Sequence, residues 1–495
     1  MSIPIEIGTD EQFAALRSLL ERENYTEDTV CKRFGIDKLS SFEDVPDREQ
    51  VEAWDKDVTG LFIRLFIETR FVPEIKVAEM LGSEAVELLE SLGLIHGNAD
   101  NAEEVWSPVS LVPYAGVWSV CDSWHSPDRS LLSPRDPVYA PIVSNAHRFL
   151  QYMPKMKCER LLELCCGTAF AALHAARTYA DHAYAFDISP RSVTFAEFNR
   201  RLNNVPNATI REGDLYAPAD GMTFDRIIVH PPYVPVLRPK WVFHDGGSDG
   251  EVIVKRVVEE APKYLAPGGL LYMLAMGTDR EKSFEQRMRE WLGPAQAEFD
   301  IALFPIRLIQ PEDFATRASA GSKTYVEDQH RFRDTFKQLE IETLNYSVAL
   351  LQRHSSNRRS FTVRRQFGPR TGRSEMEWAL EWETLVASPG AAEKILQSRP
   401  KPNPETELRV LHKLGDDGWE AAEHTLVTPY PFSMEARTDT WAPHLMALCD
   451  GSKNARELFA ELKSDGVLPE AAPDEEFARA IAILASGGYL LLENV

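Results

Sequence analysis

Apolar positions along this chain recur with two different periods, and the changes between them divide it. Over residues 9–23 (TDEQFAALRSLLERE), Phe13, Leu16, Leu19 and Leu20 fall three and four apart. That is a helical stripe, and it starts behind a capping Thr9 or Asp10. The runs 57–69, 72–81 and 83–95 repeat the period with turn residues between them, so residues 1–110 are expected to form a helical domain. Helices followed by the apolar run VWSPVSLVPY (105–114) give this domain the outline of a winged helix.

Residues 111–153 are dense in aromatics, Pro and Ser, and Asp136-Pro137-Val138-Tyr139 leads into a helix expected over 142–153. Such a segment can wall a pocket, with Tyr114, Trp124, Tyr139 and Asn145 as candidate lining residues. The same aromatics would equally serve to join two domains.

From residue 154 to 370 the period changes again. Short, nearly continuous apolar runs alternate with helical ones, from RLLEL (160–164) through AYAFDIS (183–189) and FDRIIV (224–229) to LLYMLAMG (270–277). Alternating β and α units predict a parallel, doubly wound sheet with a ligand crevice at the carboxyl ends of its strands. Strands near 299–309 and 340–351 bring the expected sheet to seven. The fold class is therefore α/β, a seven-stranded Rossmann-like domain flanked by two helical, winged-helix-like modules. The Pro-rich stretch 388–406 reads as a linker. Residues 407–495 read as the second module, with three helices and a final strand after Trp441.

Composition narrows the class of function. A chain of 495 residues with 44% hydrophobic and 26% charged residues is expected to form two to four globular domains. Its formal charge of −22 argues against nucleic acid as a partner, because a nucleic-acid surface must displace counterions with cations. The excess is concentrated at the amino-terminal end, where residues 1–150 carry 13 Lys and Arg against 27 Asp and Glu. The helix expected at 83–95 has Glu84, Glu87 and Glu90 and no Lys or Arg, the wrong charge for a DNA-reading helix. Six cysteines without a CxxC spacing fit reduced thiols, with no metal site expected. Neither a secretion signal nor a membrane-spanning apolar run is visible, so a cytoplasmic location is expected.

The candidate chemistry sits at the strand ends. The first strand of the core ends in Glu163-Leu-Cys165-Cys-Gly167-Thr-Ala169, a small-residue turn that lets a ligand approach main-chain N–H groups at the start of a helix. Asp187 closes the next strand, 24 positions after Glu163, where an acid can accept from ribose hydroxyls. Asp214 closes the third, within reach of a base. A lone acid in such a place could be a helix cap, and Asp187 also stands at a helix start. Three in succession make a pattern. The fourth strand runs into His230-Pro231-Pro232-Tyr233, and the two prolines fix an extended loop that holds His230 and Tyr233 over the crevice. His244 and Asp245 lie just beyond and are weaker candidates.

Taken together these residues resemble the class I S-adenosylmethionine-dependent methyltransferases over roughly residues 155–310. Within them, HPPY (230–233), DGGSDG (245–250) and APGG (266–269) resemble the HemK-type protein-glutamine N5-methyltransferases and related small-domain RNA methyltransferases, which carry NPPY. The resemblance implies S-adenosylmethionine as cofactor and S-adenosylhomocysteine as product. It implies cofactor binding by Glu163, Cys165, Gly167, Ala169, Asp187, Ile188, Asp214, Leu215 and His230. It further implies an acceptor held by Pro231, Pro232 and Tyr233, with His230 and Tyr233 in the catalytic positions, and Tyr139 and Asn145 of the preceding aromatic segment are further candidates to bind it.

Two departures bear on function. Cys165 and Ala169 stand where the family has the first and third glycines of its turn, and His230 stands where it has Asn. An amide both donates and accepts; a neutral imidazole does one at each nitrogen and can take a proton. The expected function is methyl transfer to a small-molecule or peptide acceptor, at N or O. The rivals are a HemK-like protein-glutamine or RNA N-methyltransferase, and a non-catalytic scaffold that binds the cofactor only. The RNA version rests on 352–373, which holds seven arginines and no acid. Such a run can dock phosphate or form a charged edge strand, and the alternation Ser360-Phe361-Thr362-Val363-Arg364 points to a strand there.

Overall fold

The structure is a computed structural model, described here for residues 3–44, 54–128, 130, 136–238, 242–354, 358–415 and 418–493. The chain gathers into two compact units, one of residues 1–278 and 312–341 and the other of 279–311 and 342–495.

The first unit begins with helices α1 (Asp10–Arg22), α2 (Glu27–Phe34), α3 (Val58–Phe62), α4 (Glu74–Leu81) and α5 (Ser83–Ser91). Thr9 caps α1 in a reciprocal capping box with Gln12, and the predicted stripe of Phe13, Leu16, Leu19 and Leu20 is its buried face. Three short antiparallel strands, β1 (Val72–Pro73), β2 (His96–Gly97) and β3 (Glu104–Trp106), form a sheet in the order β1-β3-β2.

Next comes a hairpin of β4 (Val109–Tyr114) and β5 (Val117–Asp122). Its two-residue turn, Ala115-Gly116, has φ of 47° and 77°, the left-handed pair that a tight hairpin turn requires. The free edge of β5 is closed by one helix, α8 (Pro190–Leu202), and the residue that ends it. Asn199 accepts from Val120 N–H at 2.7 Å and donates to its carbonyl at 3.0 Å. Asn203 does the same for Trp118, at 2.9 and 2.7 Å. Two amides one helical turn apart thus match strand residues two apart and stand in for a third strand.

The sheet of this unit holds β6 (Cys158–Leu164), β7 (Ala180–Asp187), β8 (Ala208–Glu212), β9 (Phe224–Val229) and β10 (Leu265–Asp279), whose last residue belongs to the second unit. The order is β10-β9-β6-β7-β8, and every pairing is parallel. Helices α6 (Ser144–Tyr152), α7 (Phe170–Thr178), α8 and α9 (Val252–Tyr264) alternate with the strands. In β9, Ile227, Ile228 and Val229 are fully buried, as a strand covered on both faces demands. Helices Pro311–Ser319 and Tyr325–Gln338, unread in the sequence, bring Phe314, Phe332 and Phe336 into mutual ring contact at 5.7–5.8 Å.

The second unit contains β11 (Phe299–Ile309) and β12 (Thr343–Arg353), which pair antiparallel, and β13 (Thr362–Arg364), which pairs parallel with β11. A strand lies at each place where one was expected, but β13 is a further one, so the expected count of seven does not hold. This added strand is the one that the alternation of 360–364 predicts. Six of the seven arginines of 352–373 are paired with carboxylates. Arg353 pairs with Glu298, Arg358 with Asp300, Arg364 with Asp279 and Glu285, Arg365 with Glu383, Arg370 with Glu405 and Arg373 with Glu377. Residues 355–357 of this stretch lie outside the described residues.

The expected linker 388–406 is ordered structure. Helix Ala391–Gln397 buries Ala391, Ile395 and Leu396, and strand β14 (Arg399–Pro402) pairs antiparallel with the final strand of the chain, Leu490–Glu493. Pro400 and Pro402 are tolerated because this is a two-stranded pairing, where each strand is an edge. Strands β15 (Glu407–Gly415), β16 (Gly418–Thr428) and β17 (Met434–Thr438) follow as an antiparallel sheet that the sequence reading did not anticipate. The three helices and final strand expected after Trp441 are found at Trp441–Leu448, Ala455–Ser464, Asp474–Ser486 and Leu490–Glu493.

Candidate functional site

A cavity of about 580 Å³ opens at the carboxyl ends of β6, β7, β8 and β9, all within the first unit. This volume lies in the range of small-molecule and cofactor sites. Of the residues singled out from the sequence, Glu163, Cys165, Gly167, Asp187, Ile188, Asp214, Leu215, His230, Pro231, Pro232, Tyr233, Tyr139 and Asn145 line it, as do Trp124, His244 and Asp245. Ala169 does not. It is fully buried beneath the start of α7, and its part is conformational. Tyr114 is also outside, stacked on Phe170 with ring centroids 5.4 Å apart.

The turn after β6 shows why small residues stand there. Cys165, Gly167 and Ala169 have φ of 55°, 53° and 56°. Left-handed backbone costs a non-glycine residue roughly 1–2 kcal/mol. The chain bears this strain at two of the three positions and fastens the turn with main-chain bonds. Cys166 N–H donates to Phe186 at 3.1 Å and Ala169 N–H to Cys166 at 2.7 Å. A Cβ at Gly167 would meet nothing within 4 Å, so the backbone there faces open space that a ligand can occupy.

Each acid at a strand end has its own surroundings. Glu163 is buried and accepts from Ala172 N–H in the first turn of α7 at 2.7 Å. Burial nevertheless dominates and pushes its carboxyl up to about 8. Asp187 accepts from Gly167 N–H and Ser189 N–H, each at 2.9 Å, which ties the second strand end to the glycine turn. Burial raises its pKa as well, against those hydrogen bonds. Asp214 is exposed, two residues past the end of β8, and is held by Arg256 of α9. Arg256 lines the cavity, and the sequence reading missed it. Its signal was absent, because one arginine on a helix face looks like any solvated charge.

On the other side of the cavity the His230 ring stacks on Phe149 at 5.4 Å and 16°, and tilts against Tyr233 at 5.4 Å. Burial lowers its pKa to about 4, so the imidazole is neutral at physiological pH. Its Nε2 is buried and has no hydrogen-bond partner among the described residues. Asn145 of α6 donates from Nδ2 to the Tyr233 hydroxyl at 3.1 Å. The loop beyond the prolines packs directly on this segment: a Cβ at Gly246 would sit 2.8 Å from Tyr233 C, and one at Gly250 2.4 Å from Tyr233 O. Those glycines keep the His-Pro-Pro-Tyr main chain in place.

An aromatic wall completes this side of the cavity. Tyr139 contacts Phe243 edge-on at 4.4 Å and Trp124 at 5.0 Å. The segment that carries Tyr139 is fixed by Asp122, which accepts from Val138 N–H at 2.8 Å and forms a buried ion pair with Arg191. Asp136 accepts from the Ser189 hydroxyl at 3.0 Å, which joins this wall to the Asp187 loop. Among the described residues, no group of three or more His, Cys, Asp or Glu is placed to hold a metal ion, and no helix is long and apolar enough to cross a membrane.

Comparison with known proteins bears on the same stretch. Residues 143–299 match the methyltransferase small domain family. A protein from Methanocaldococcus jannaschii, provisionally named a protein N5-glutamine methyltransferase, is 31% identical over 158 residues, which are 31% of this chain and 79% of that protein. The ribosomal protein uL3 glutamine methyltransferase of Bradyrhizobium diazoefficiens is 33% identical over 158 residues, 29% of this chain and 49% of its own. The release factor glutamine methyltransferase of Thermodesulfovibrio yellowstonii is 30% identical over 138 residues, 26% of this chain and 49% of its own. The chain thus spans most of the archaeal relative and about half the length of each bacterial one. The family match runs from the helix that carries Asn145 through the glycine turn, the strand-end acids and the Pro-Pro loop, and by this likeness the chain belongs to the class I S-adenosylmethionine-dependent methyltransferases of the HemK type.

Proposed function

We propose that this protein transfers a methyl group to a nitrogen or oxygen atom of a small-molecule or peptide acceptor held at the His230–Tyr233 loop. S-adenosylmethionine, the donor of this family, supplies a methyl group already activated on its sulfonium. Glu163, Gly167, Asp187 and Asp214 are the residues that would hold it, and they suit it: three carboxyls converge on a turn whose central glycine faces open space. The protein's remaining task is to orient the acceptor and to receive its proton where one must leave.

The observation that carries the reading is the Nε2 of a neutral His230, buried in the wall of the cavity and without a hydrogen-bond partner among the described residues. Buried polar atoms are nearly always paired, so this one awaits a group from the ligand. With its proton on Nδ1, the ring accepts at Nε2 from an N–H or O–H of the acceptor and can take that proton. Tyr233, its hydroxyl fixed by Asn145, packs beside the ring as a flat guide. An amide acceptor would find one hydrogen-bonding site here, where Asn offers both a donor and an acceptor.

The relatives' names keep a second reading in view, since they refer to glutamine in release factors and in ribosomal protein uL3. Neither acceptor is transferred to this chain, because His230 replaces the amide. The RNA version has less support in the arginine stretch, where six of the seven guanidinium groups are paired with carboxylates.

The test is transfer of tritiated methyl from S-adenosylmethionine to small amines, phenols and short peptides, beside intact release factor and uL3. Label on the small acceptors supports the reading. Label confined to the intact translation proteins overturns it, and tight S-adenosylhomocysteine binding with no label anywhere favours the scaffold.

A further inference from the structure

Strand β15 is the outer strand of the sheet β15-β16-β17, and all nine of its residues are exposed. Strand β17 reaches β16 only over His424–Thr428. Nearer the turn, β15 and β16 therefore form a ribbon of two strands, an arrangement that is marginal in water unless a third strand or a packed face supports it. One face of this ribbon is apolar. Leu408 and Leu414 are 45% and 70% exposed, and Trp419, directly opposite Leu414, is 72% exposed. A long exposed edge with an apolar face is a template for strand addition.

We propose that this edge is a self-association surface, where a second copy of the chain adds its own β15 antiparallel, with the two-fold axis at Val410. Charge selects both occupant and register. With Val410 opposite the second copy's Val410, Glu407 lies opposite the second copy's Lys413, and Lys413 opposite the second copy's Glu407. Moving the axis to Leu411 sets Arg409 against Lys413, and moving it to Arg409 sets that residue against its own copy. Both neighbouring registers oppose like charges. The Val410 register also places Leu414 diagonal to the second copy's Leu408, so the apolar faces become continuous. The contact is isologous and closes at two copies.

Sedimentation velocity on the full chain tests this. At about 50 µM, a concentration that populates even a weak micromolar dimer, the wild type is expected to sediment as two copies. Lys413→Glu alone, or Glu407→Lys alone, weakens the dimer at least about tenfold by opposing like charges in both symmetric contacts. The double exchange Glu407→Lys with Lys413→Glu restores it. Both positions are exposed, so the variants fold. A wild type that remains a single copy overturns the proposal and assigns the edge to some other occupant. A dimer indifferent to these charges, or not restored by the double exchange, overturns it by placing the interface elsewhere.

Discussion

Arg256 holds Asp214 with two parallel bonds, Nη1 to Oδ1 at 3.1 Å and Nη2 to Oδ2 at 2.9 Å. The carboxylate proposed to meet the cofactor is therefore already engaged, by a side chain that lines the same cavity. Both partners are more than a third exposed, so the pair contributes at most about 1 kcal/mol. A ligand that recruits Asp214 must displace that contact. Arg256→Ala is therefore expected to tighten S-adenosylhomocysteine binding by up to about fivefold, measured by calorimetry. Weaker binding would show instead that Arg256 itself touches the ligand.

The parts of this site that could be read from the sequence are those created by the backbone order. Asp187 and His230 each end or follow a short apolar run, and an alternating chain places such ends side by side in a parallel sheet. Residues such as Arg256 and Phe149 come from helices that cross the crevice, and their identity carries no local mark. The turn showed a subtler gap. Cys165 and Ala169 read as small replacements for glycine, but their shared left-handed backbone belongs to the fold of the turn. Proline misled at 388–406, where Pro400 and Pro402 sit in an edge strand and not in a linker. The hairpin at 407–428 did carry a signal, the Asp-Asp-Gly of residues 416–418 between two mixed runs.

The edge of the β4–β5 hairpin depends on Asn199, which is buried and serves both main-chain groups of Val120. Asn199→Ala leaves a buried N–H and a buried carbonyl without partners. Each costs about 1–3 kcal/mol, so a loss of about 2–6 kcal/mol in unfolding free energy is expected by denaturant titration. Asn199→Asp should not rescue the loss, because it sets a buried carboxylate oxygen against the carbonyls of Val120 and Thr168. A change within 0.5 kcal/mol for the alanine variant would require water to have replaced the amide.

Glu163 makes stability fall as the solution becomes more alkaline. Its folded pKa, about 8, lies above its ordinary value of 4.5, so the folded chain retains a proton that the unfolded chain has lost. This group's contribution is full below pH 4.5 and declines from there through pH 8, by at most about 1.4 kcal/mol per unit. Glu163→Gln removes the slope. Melting temperatures taken from pH 5 to 9 should therefore converge at the acid end and separate in favour of the variant at the alkaline end. Parallel profiles would mean that Glu163 is ionised throughout.

His230 behaves in the opposite sense, and the difference separates its possible roles. Its folded pKa, about 4, lies below the ordinary 6.5, so the ring stays neutral and able to accept a proton across the range in which enzymes are usually assayed. The methyl-transfer rate should accordingly show no acid limb near 6.5 due to this residue. Acidification below 6.5 instead costs stability, because the unfolded imidazole takes up a proton that the buried one refuses. Replacing the ring distinguishes proton acceptance from positioning. With an acceptor found by the labelling screen, His230→Ala and His230→Asn should both lose about 10²-fold in kcat, since neither supplies a base. If His230→Asn instead retains most of the rate, the residue only orients the acceptor, and the proton leaves to solvent by another path.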